Sequence, residues 1–389
     1  MPAALAAFVS ALKVAGSDLE RCWAWFGCAQ VKRVVDDLDG AFADLARAED
    51  IVTALGLKAE EARLRFLRGN LCFPRGDIEG CLREHGRSLK LAREIHAPEL
   101  EAEALGGLGD AEYMRGRMIS SFQNFQACIS LAASHGLGRI VSANQPMAAF
   151  TRWFAGEIEA ALADARAAIE AARRVGHKRA EMIAHHAAYL CLHDRVELDA
   201  AAEHAEQSLL IAQQLSAPRF EAEGLAFCAE LDRLAGRRAA ARSKIEAALA
   251  ISRKSGMAYF GPILLGVTAL TTDDEARRRQ LLAEADALLA AGAVSHNQLL
   301  YGRDAIEVCL EMRDWERADH YASVLEAFTR AEPLPWSDLF IARGRTLAAV
   351  GRDPQRGDLR PTLNRLVRDA ERLSYLVAVP ALRKALAAM

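Results

Sequence analysis

Residues 76–81 read Gly76-Asp77-Ile78-Glu79-Gly80-Cys81, and this stretch sets the frame for the whole chain. A glycine just past a helix end adopts φ > 0 and closes the C-cap, so Gly76 marks a stop between two helices. The same kind of signal returns with a period of about 40 residues, at Gly116-Arg117, Gly156-Glu157, Val196-Glu197 and Gly236-Arg237. A second grid lies half a period away, at Gly16, Gly56, Gly136, Gly176 and Gly256, with His96 and Ser216 in the remaining places. Between signals run about 17 residues with helical apolar spacing, such as Leu82, Leu89 and Ile95, or Ile158, Leu162 and Ile169. Pro98 and Pro218 fall in first-turn positions, where a missing N–H costs nothing. The unit is helix, turn, helix, turn, repeated six times between Gly16 and Gly256.

The small residues identify the kind of repeat. A WD40 propeller shares the period but needs four strands per repeat, which Ala-rich segments do not supply. Aligned on the turn at 76–81, one helix A site holds Ala29, Gly69, Gly109, Ala149, Tyr189 and Ala229. One helix B site holds Ala41, Cys81, Ser121, Ala161, Ala201 and Ala241, and the next holds Ala48, Ser88, Cys128, Ala168, Ser208 and Ala248. Helices approach closely only where neither side chain is large. Seventeen of these eighteen positions are small, Tyr189 being the exception. This pattern, rather than that of HEAT or armadillo repeats, resembles a tetratricopeptide (TPR) array with each repeat lengthened to about 40 residues, close to the long-helix variety of MalT-like regulators. The expected fold is all-α, a right-handed α-solenoid of antiparallel helix pairs.

The array is expected to fill the chain as one solenoid. Residues 1–16 form a first helix or cap, 17–256 the six regular repeats, 257–330 two further pairs, and 331–389 a degenerate pair with a C-terminal cap. Pro146 is the weak point. It removes a hydrogen bond inside a helix A, so that helix is expected to start late, near Asn144, or to kink.

Composition agrees with a scaffold. Of 389 residues, 52% are hydrophobic but only 6% aromatic, and Val and Ile are few, which is poor material for a large sheet. Lys plus Arg is 49 against 52 for Asp plus Glu, so the electrostatic footprint of a nucleic-acid binder is missing. The eight cysteines form no C-x-x-C pair and read as buried small hydrophobes in a reducing, cytoplasmic setting. No apolar run reaches the length, roughly 18 residues, that suggests a membrane span.

Catalytic motifs are missing too. There is no phosphate loop of the form G-x-x-x-x-G-K-S/T, no G-x-G-x-x-G after a strand, and no H-E-x-x-H. His177, His185, His186 and His193 cluster near one helix, but their spacings fan the rings around it, so no metal or other cofactor is expected. The functional surface of such an array is its concave face, lined by helix A. By register it offers Arg63, Asn70, Asp110, Tyr113, Phe150, Trp153, His186, His193, Glu230 and Arg233 as candidates for binding a protein or peptide. Aromatics with Arg suit such a groove, though the same aromatics can pack between repeats. No basic clamp for a peptide carboxylate is evident in the first two repeats. His296, Asn297 and Arg303 are secondary candidates for a small-molecule effector, with Asn297 or Ser295 also readable as a helix cap.

Three later segments are more distinctive than repeat packing requires: GMAYFGPILLG at 256–266, AGAVSHNQLLYGRDAIE at 291–307 and RAEPLPWSDLFIARGR at 330–345. They resemble the C-terminal TPR region of large bacterial adenylate/guanylate cyclase proteins, which join a cyclase domain and an ATPase domain to a TPR tail. That resemblance covers roughly 20–350 and implies a regulatory, partner-binding role in signalling. It transfers no catalysis, because the motifs of the other two domains are not in this sequence.

Overall fold

The computed structural model describes residues 2–35 and 37–389. Twenty α-helices and no strands occur among them. After α1 (Pro2–Val14) come α2 (Asp18–Val34), α3 (Leu38–Leu55), α4 (Lys58–Cys72), α5 (Ile78–Glu94), α6 (Pro98–Met114) and α7 (Met118–Ser134). The pairs continue through α8 (Gly138–Phe154), α9 (Ile158–Val175), α10 (Lys178–Asp194), α11 (Leu198–Gln214), α12 (Pro218–Leu234) and α13 (Arg238–Ser255). The remaining helices are α14 (Gly261–Thr271), α15 (Glu275–Ala290), α16 (Asn297–Glu311), α17 (Trp315–Thr329), α18 (Pro335–Arg352), α19 (Leu359–Arg372) and α20 (Val379–Ala387). Turns of two or three residues join the helices from α5 to α13, which makes neighbours antiparallel. The fold is all-α, helix pair after helix pair, as in an α-solenoid. No helix among the described residues is long and apolar enough to cross a membrane.

The turns carry the conformation that glycine favours. Eight grid glycines, from Gly56 to Gly256, have positive φ, and His96, Val196 and Ser216 adopt it at φ 52, 61 and 51. Valine there is strained, because its branched Cβ crowds the backbone.

The chain divides into two compact units, Met1–Glu112 with Gln123–Val141, and Tyr113–Phe122 with Ser142–Met389. In the first, Cys22, Phe26, Leu45, Leu64 and Leu71 form a core between helix pairs. Small residues govern the spacing. A Cβ on Gly69 would fall 2.5 Å from the His85 ring, and one on Gly107 would fall 2.4 Å from it, so the imidazole occupies space that only glycine leaves. Ser88 Oγ donates to Ala62 O at 2.8 Å across the same packing. All eighteen close-packing positions are buried in their own units, Tyr189 included; it stacks on Phe227 with centroids 4.2 Å apart.

In the second unit the C-terminal helices fold back onto its first segments. Trp336 of α18 packs on Trp153 and Phe154, at 5.6 and 5.2 Å between centroids. Tyr375 Oη donates to Trp153 O at 2.6 Å, and Arg117 Nη1 to Phe328 O at 2.9 Å. The Glu332 carboxylate accepts from the amides of Ile119 and Ser120 at 2.8 and 3.2 Å, and from the Ser120 hydroxyl, so it satisfies free amides at the start of α7. The helix holding Pro146 starts at Gly138, not near Asn144, and runs through the proline. Burial of Ala148, Ala149, Phe150 and Trp153 just beyond it outweighs the lost hydrogen bond. All eight cysteines are buried and unpaired.

Candidate functional site

Helical spacing puts Glu230 and Arg233 one turn apart on α12, Arg303 and Glu307 one turn apart on α16, and Phe340 and Arg343 one turn apart on α18. Folding of the second unit brings these faces against the end of α10, where His193 lies. Together they line a cavity of about 310 Å³. Its apolar wall includes Leu198, Leu234, Leu270 and Phe340, and Val196, Val377 and Pro380 stand at the more exposed rim. The strained Val196 thus contributes a side chain to the cavity edge at a grid position where glycine would relieve the backbone.

The polar side is a chain of charges. Arg233 grips Glu230 through Nε and Nη2 at 2.8 and 2.7 Å. Arg303 donates from Nε and Nη2 to Asp304 Oδ1 at 2.9 and 2.7 Å, with its guanidinium 5.8 and 5.9 Å from the rings of Trp336 and Phe340. Arg343 donates to both Glu307 oxygens, at 2.6 and 3.2 Å, and to Ala378 O at 3.2 Å. His193 Nδ1 lies 2.9 Å from Asp194 Oδ1, whose other oxygen accepts from Trp153 Nε1 at 3.0 Å.

Burial opposes a charge on His193, but the hydrogen bond and charge of Asp194 and the nearby Glu230 raise its pKa to about 9, so it is an imidazolium at neutral pH. The Glu230 oxygen is 3.7 Å from Nε2, an electrostatic contact too long for a hydrogen bond. Burial also opposes ionisation of Glu230, yet Arg233 and His193 hold it well below the usual carboxylate range. For Asp304 burial prevails over Arg303 and pushes its carboxyl up.

The sequence-derived candidates fall into three groups. Arg63, Asn70 and Asp110 are half-buried in the first unit, with the Arg63 guanidinium 5.1 Å from the Trp23 ring. Tyr113, Phe150, Trp153, His186 and His296 are buried inside the second unit, so the groove drawn through them is filled by the chain itself. The Tyr113 ring stacks on His296 at 4.9 Å and meets Phe150 edge-on at 5.6 Å. Neither Ser295 nor Asn297 caps α16: Asn297 is its first residue and donates to Tyr259 O and Val294 O, both at 2.8 Å.

The third group, His193, Glu230, Arg233 and Arg303, meets at the cavity. Sequence reasoning singled out none of Glu307, Phe340 and Arg343, and took in Asp304 only as the end of the segment 295–304 that would line a small-molecule site. All four lie inside the distinctive segments 291–307 and 330–345, which was the signal available. Among the described residues no group of three His, Cys, Asp or Glu could hold a metal ion.

No protein-family profile matches the chain, and no curated protein matches it by sequence. Solved structures do resemble it. A Rap protein complexed with Competence and Sporulation Factor is 13% identical over 83% of this chain and 90% of that one, with a TM-score of 0.67. The apo form of RapI is 14% identical over 79% and 97% of the two chains, with a TM-score of 0.43. The apo form of the quorum sensor NprR from B. thuringiensis is 12% identical over 92% and 99%, at 0.41. At these identities the first likeness is one of fold, a TPR-type helical repeat.

Proposed function

We propose that this protein is a non-catalytic TPR-type scaffold that binds a peptide or a segment of a protein, as the regulatory part of a cytoplasmic signalling system. The observation that carries this reading is the cavity between α10, α12, α16 and α18. It combines an apolar wall with convergent charged groups, which is the make-up of a binding site. Two further points support it. A protein of the same fold has been solved with Competence and Sporulation Factor. The segments 256–266, 291–307 and 330–345 resemble the repeat region of cyclase proteins, which is the reason for a signalling context.

The test is a pool of short peptides added to the full chain. Ligands that bind only the folded state raise the melting temperature. Ala381→Phe, which fills the cavity without altering its charges, is expected to abolish the rise. A rise that survives this substitution moves the binding site elsewhere. The second reading is a small-molecule sensor. The cavity volume of about 310 Å³ favours it, being at the small end of the ligand-pocket range of roughly 300–1,000 Å³. A metabolite screen by the same measurement separates the two.

A further inference from the structure

The hydrogen bonds of the cavity do not close on themselves. All three side-chain nitrogens of Arg343 donate, to Glu307 and to Ala378 O, and it serves as wall. Arg233 and Arg303 are half engaged: each uses Nε and Nη2 on the neighbouring carboxylate, and Nη1 makes no hydrogen bond to described residues. His193 Nε2, with only the Glu230 carboxylate at 3.7 Å, and Asp304 Oδ2 are buried without a hydrogen-bond partner, on residues only 4% and 1% exposed. A buried polar atom left without a hydrogen bond costs about 1–3 kcal/mol, so two of them on residues that line one cavity are not a stability device.

The open valences have a definite pattern. Two guanidinium N–H groups and an imidazole N–H can meet the oxygens of a carboxylate. Asp304 Oδ2 is complementary to an N–H group. Arg303 and Asp304 are adjacent and bonded to each other, so the carboxylate and the N–H they would meet lie at one end of the ligand. A phosphate dianion fits less well, because Glu230, Asp304 and Glu307 share the site. Beyond the polar end, Leu198, Leu234, Leu270 and Phe340 offer an apolar surface.

We infer that the cavity receives the α-carboxylate end of an apolar amino-acid residue, bound by Arg233, Arg303 and His193, with its N–H on Asp304 and its side chain on the leucine and phenylalanine wall. The inference rests on the reading that this cavity is the binding site. A free amino acid and the C-terminal residue of a peptide share this chemistry.

The experiment is calorimetric titration of the full chain with four probes: leucine, leucinamide, the tetrapeptide Ala-Ala-Ala-Leu as free acid, and the same tetrapeptide amidated. At least one acid is expected to bind, and its amide at least about tenfold more weakly, because amidation removes the charge that the guanidiniums meet. Arg303→Gln and Arg233→Gln are expected to weaken the acid by a similar factor. The acid-to-amide comparison needs no protein variant, so it stands even if these substitutions unfold the chain. Binding of the tetrapeptide acid alone identifies a peptide terminus, and binding of leucine alone a free amino acid. Equal binding of acid and amide overturns the inference and leaves the scaffold reading intact. So does silence from all four probes at millimolar concentration while the peptide pool still raises the melting temperature. Silence from both the probes and the pool overturns both.

Discussion

In the first unit, buried acids meet cations that reach water. Asp44 is fully buried, with Lys32 at 2.6 Å and Arg47 at 3.2 Å, and the Arg47 side chain is 58% exposed. Glu84 has Arg83 at 3.3 Å, with that side chain 55% exposed. In the second unit both members of some close charged contacts lie inside, as with His193 and Asp194, or His186 and Glu223. Pairs of the first kind pin helix to helix at small desolvation cost. Pairs of the second kind gain little stability, since desolvation offsets attraction, and a half-satisfied network is worse than an apolar core. The contrast teaches where to look for function: in the unit whose interior is polar beyond what packing needs.

The largest test of this contrast sets two tryptophans side by side. Trp153 is fully buried and donates to Asp194, whereas Trp23 is 44% exposed. Trp153→Ala is expected to cost about 3–5 kcal/mol, and Trp23→Ala less than about 1 kcal/mol, read from urea unfolding by circular dichroism. Equal losses would break the comparison.

Acid comes next. Burial lowers His186 and His296 of the second unit to about 3, and His85 of the first to about 4. His186 lies 3.2 Å from Glu223 in ion-pair position, but burial opposes the charge on both groups, lowering the imidazole's pKa and raising the carboxyl's. The unfolded chain therefore binds the extra protons. The stability held by these histidines is whole above about pH 6.5 and falls as pH drops toward 3–4. At pH 5 the loss is on the order of 2 kcal/mol per histidine, and His296→Phe should remove one share of it. His193 has the opposite sign. Raised to about 9, it contributes fully below pH 6.5 and loses its contribution as pH rises through 9. His193→Gln should flatten unfolding midpoints between pH 7 and 9, and an unchanged slope would remove the imidazolium from the cavity.

A smaller effect belongs to Glu332. Glu332→Ala leaves the Ile119 and Ser120 amides unmet and should cost about 1–2 kcal/mol in the same unfolding measurement.

The smallest effect should be the same in both units. His96→Gly in the first and Ser216→Gly in the second relieve positive φ at grid turns, so each is expected to add about 0.5–1 kcal/mol. Melting temperatures that rise in one unit's variant and fall in the other's would mean that turn physics differs between them.

The repeat was legible because its signals are local. Glycine at a helix stop and alanine at a close approach report their roles within a few residues, whatever the rest of the chain does. The same periodic logic listed His193, Glu230 and Arg233 by register, since they continue rows begun by Arg33 and Gln30. It also listed Tyr113 and Trp153 as groove residues, because register says which face a side chain is on and not what later covers that face. Their covers, His296 and Trp336, come from segments far along the chain. The clamp around the cavity was hidden for the same reason. Arg233, Arg303 and Arg343 lie on three separate helices, and only tertiary closure makes them neighbours.

The hydrogen bond from Tyr375 to Trp153 spans 222 residues of chain. On a ribosome the early repeats can pack as they emerge, since their contacts lie within the last repeat or so made. The second unit has to wait. Trp153, Phe154 and the charged face of α10 stay unfinished until the segment around 375–381 has left the exit tunnel. A chain cut short before that point would lack Val377, Pro380 and Ala381, so the cavity is closed only by the last helices to be made.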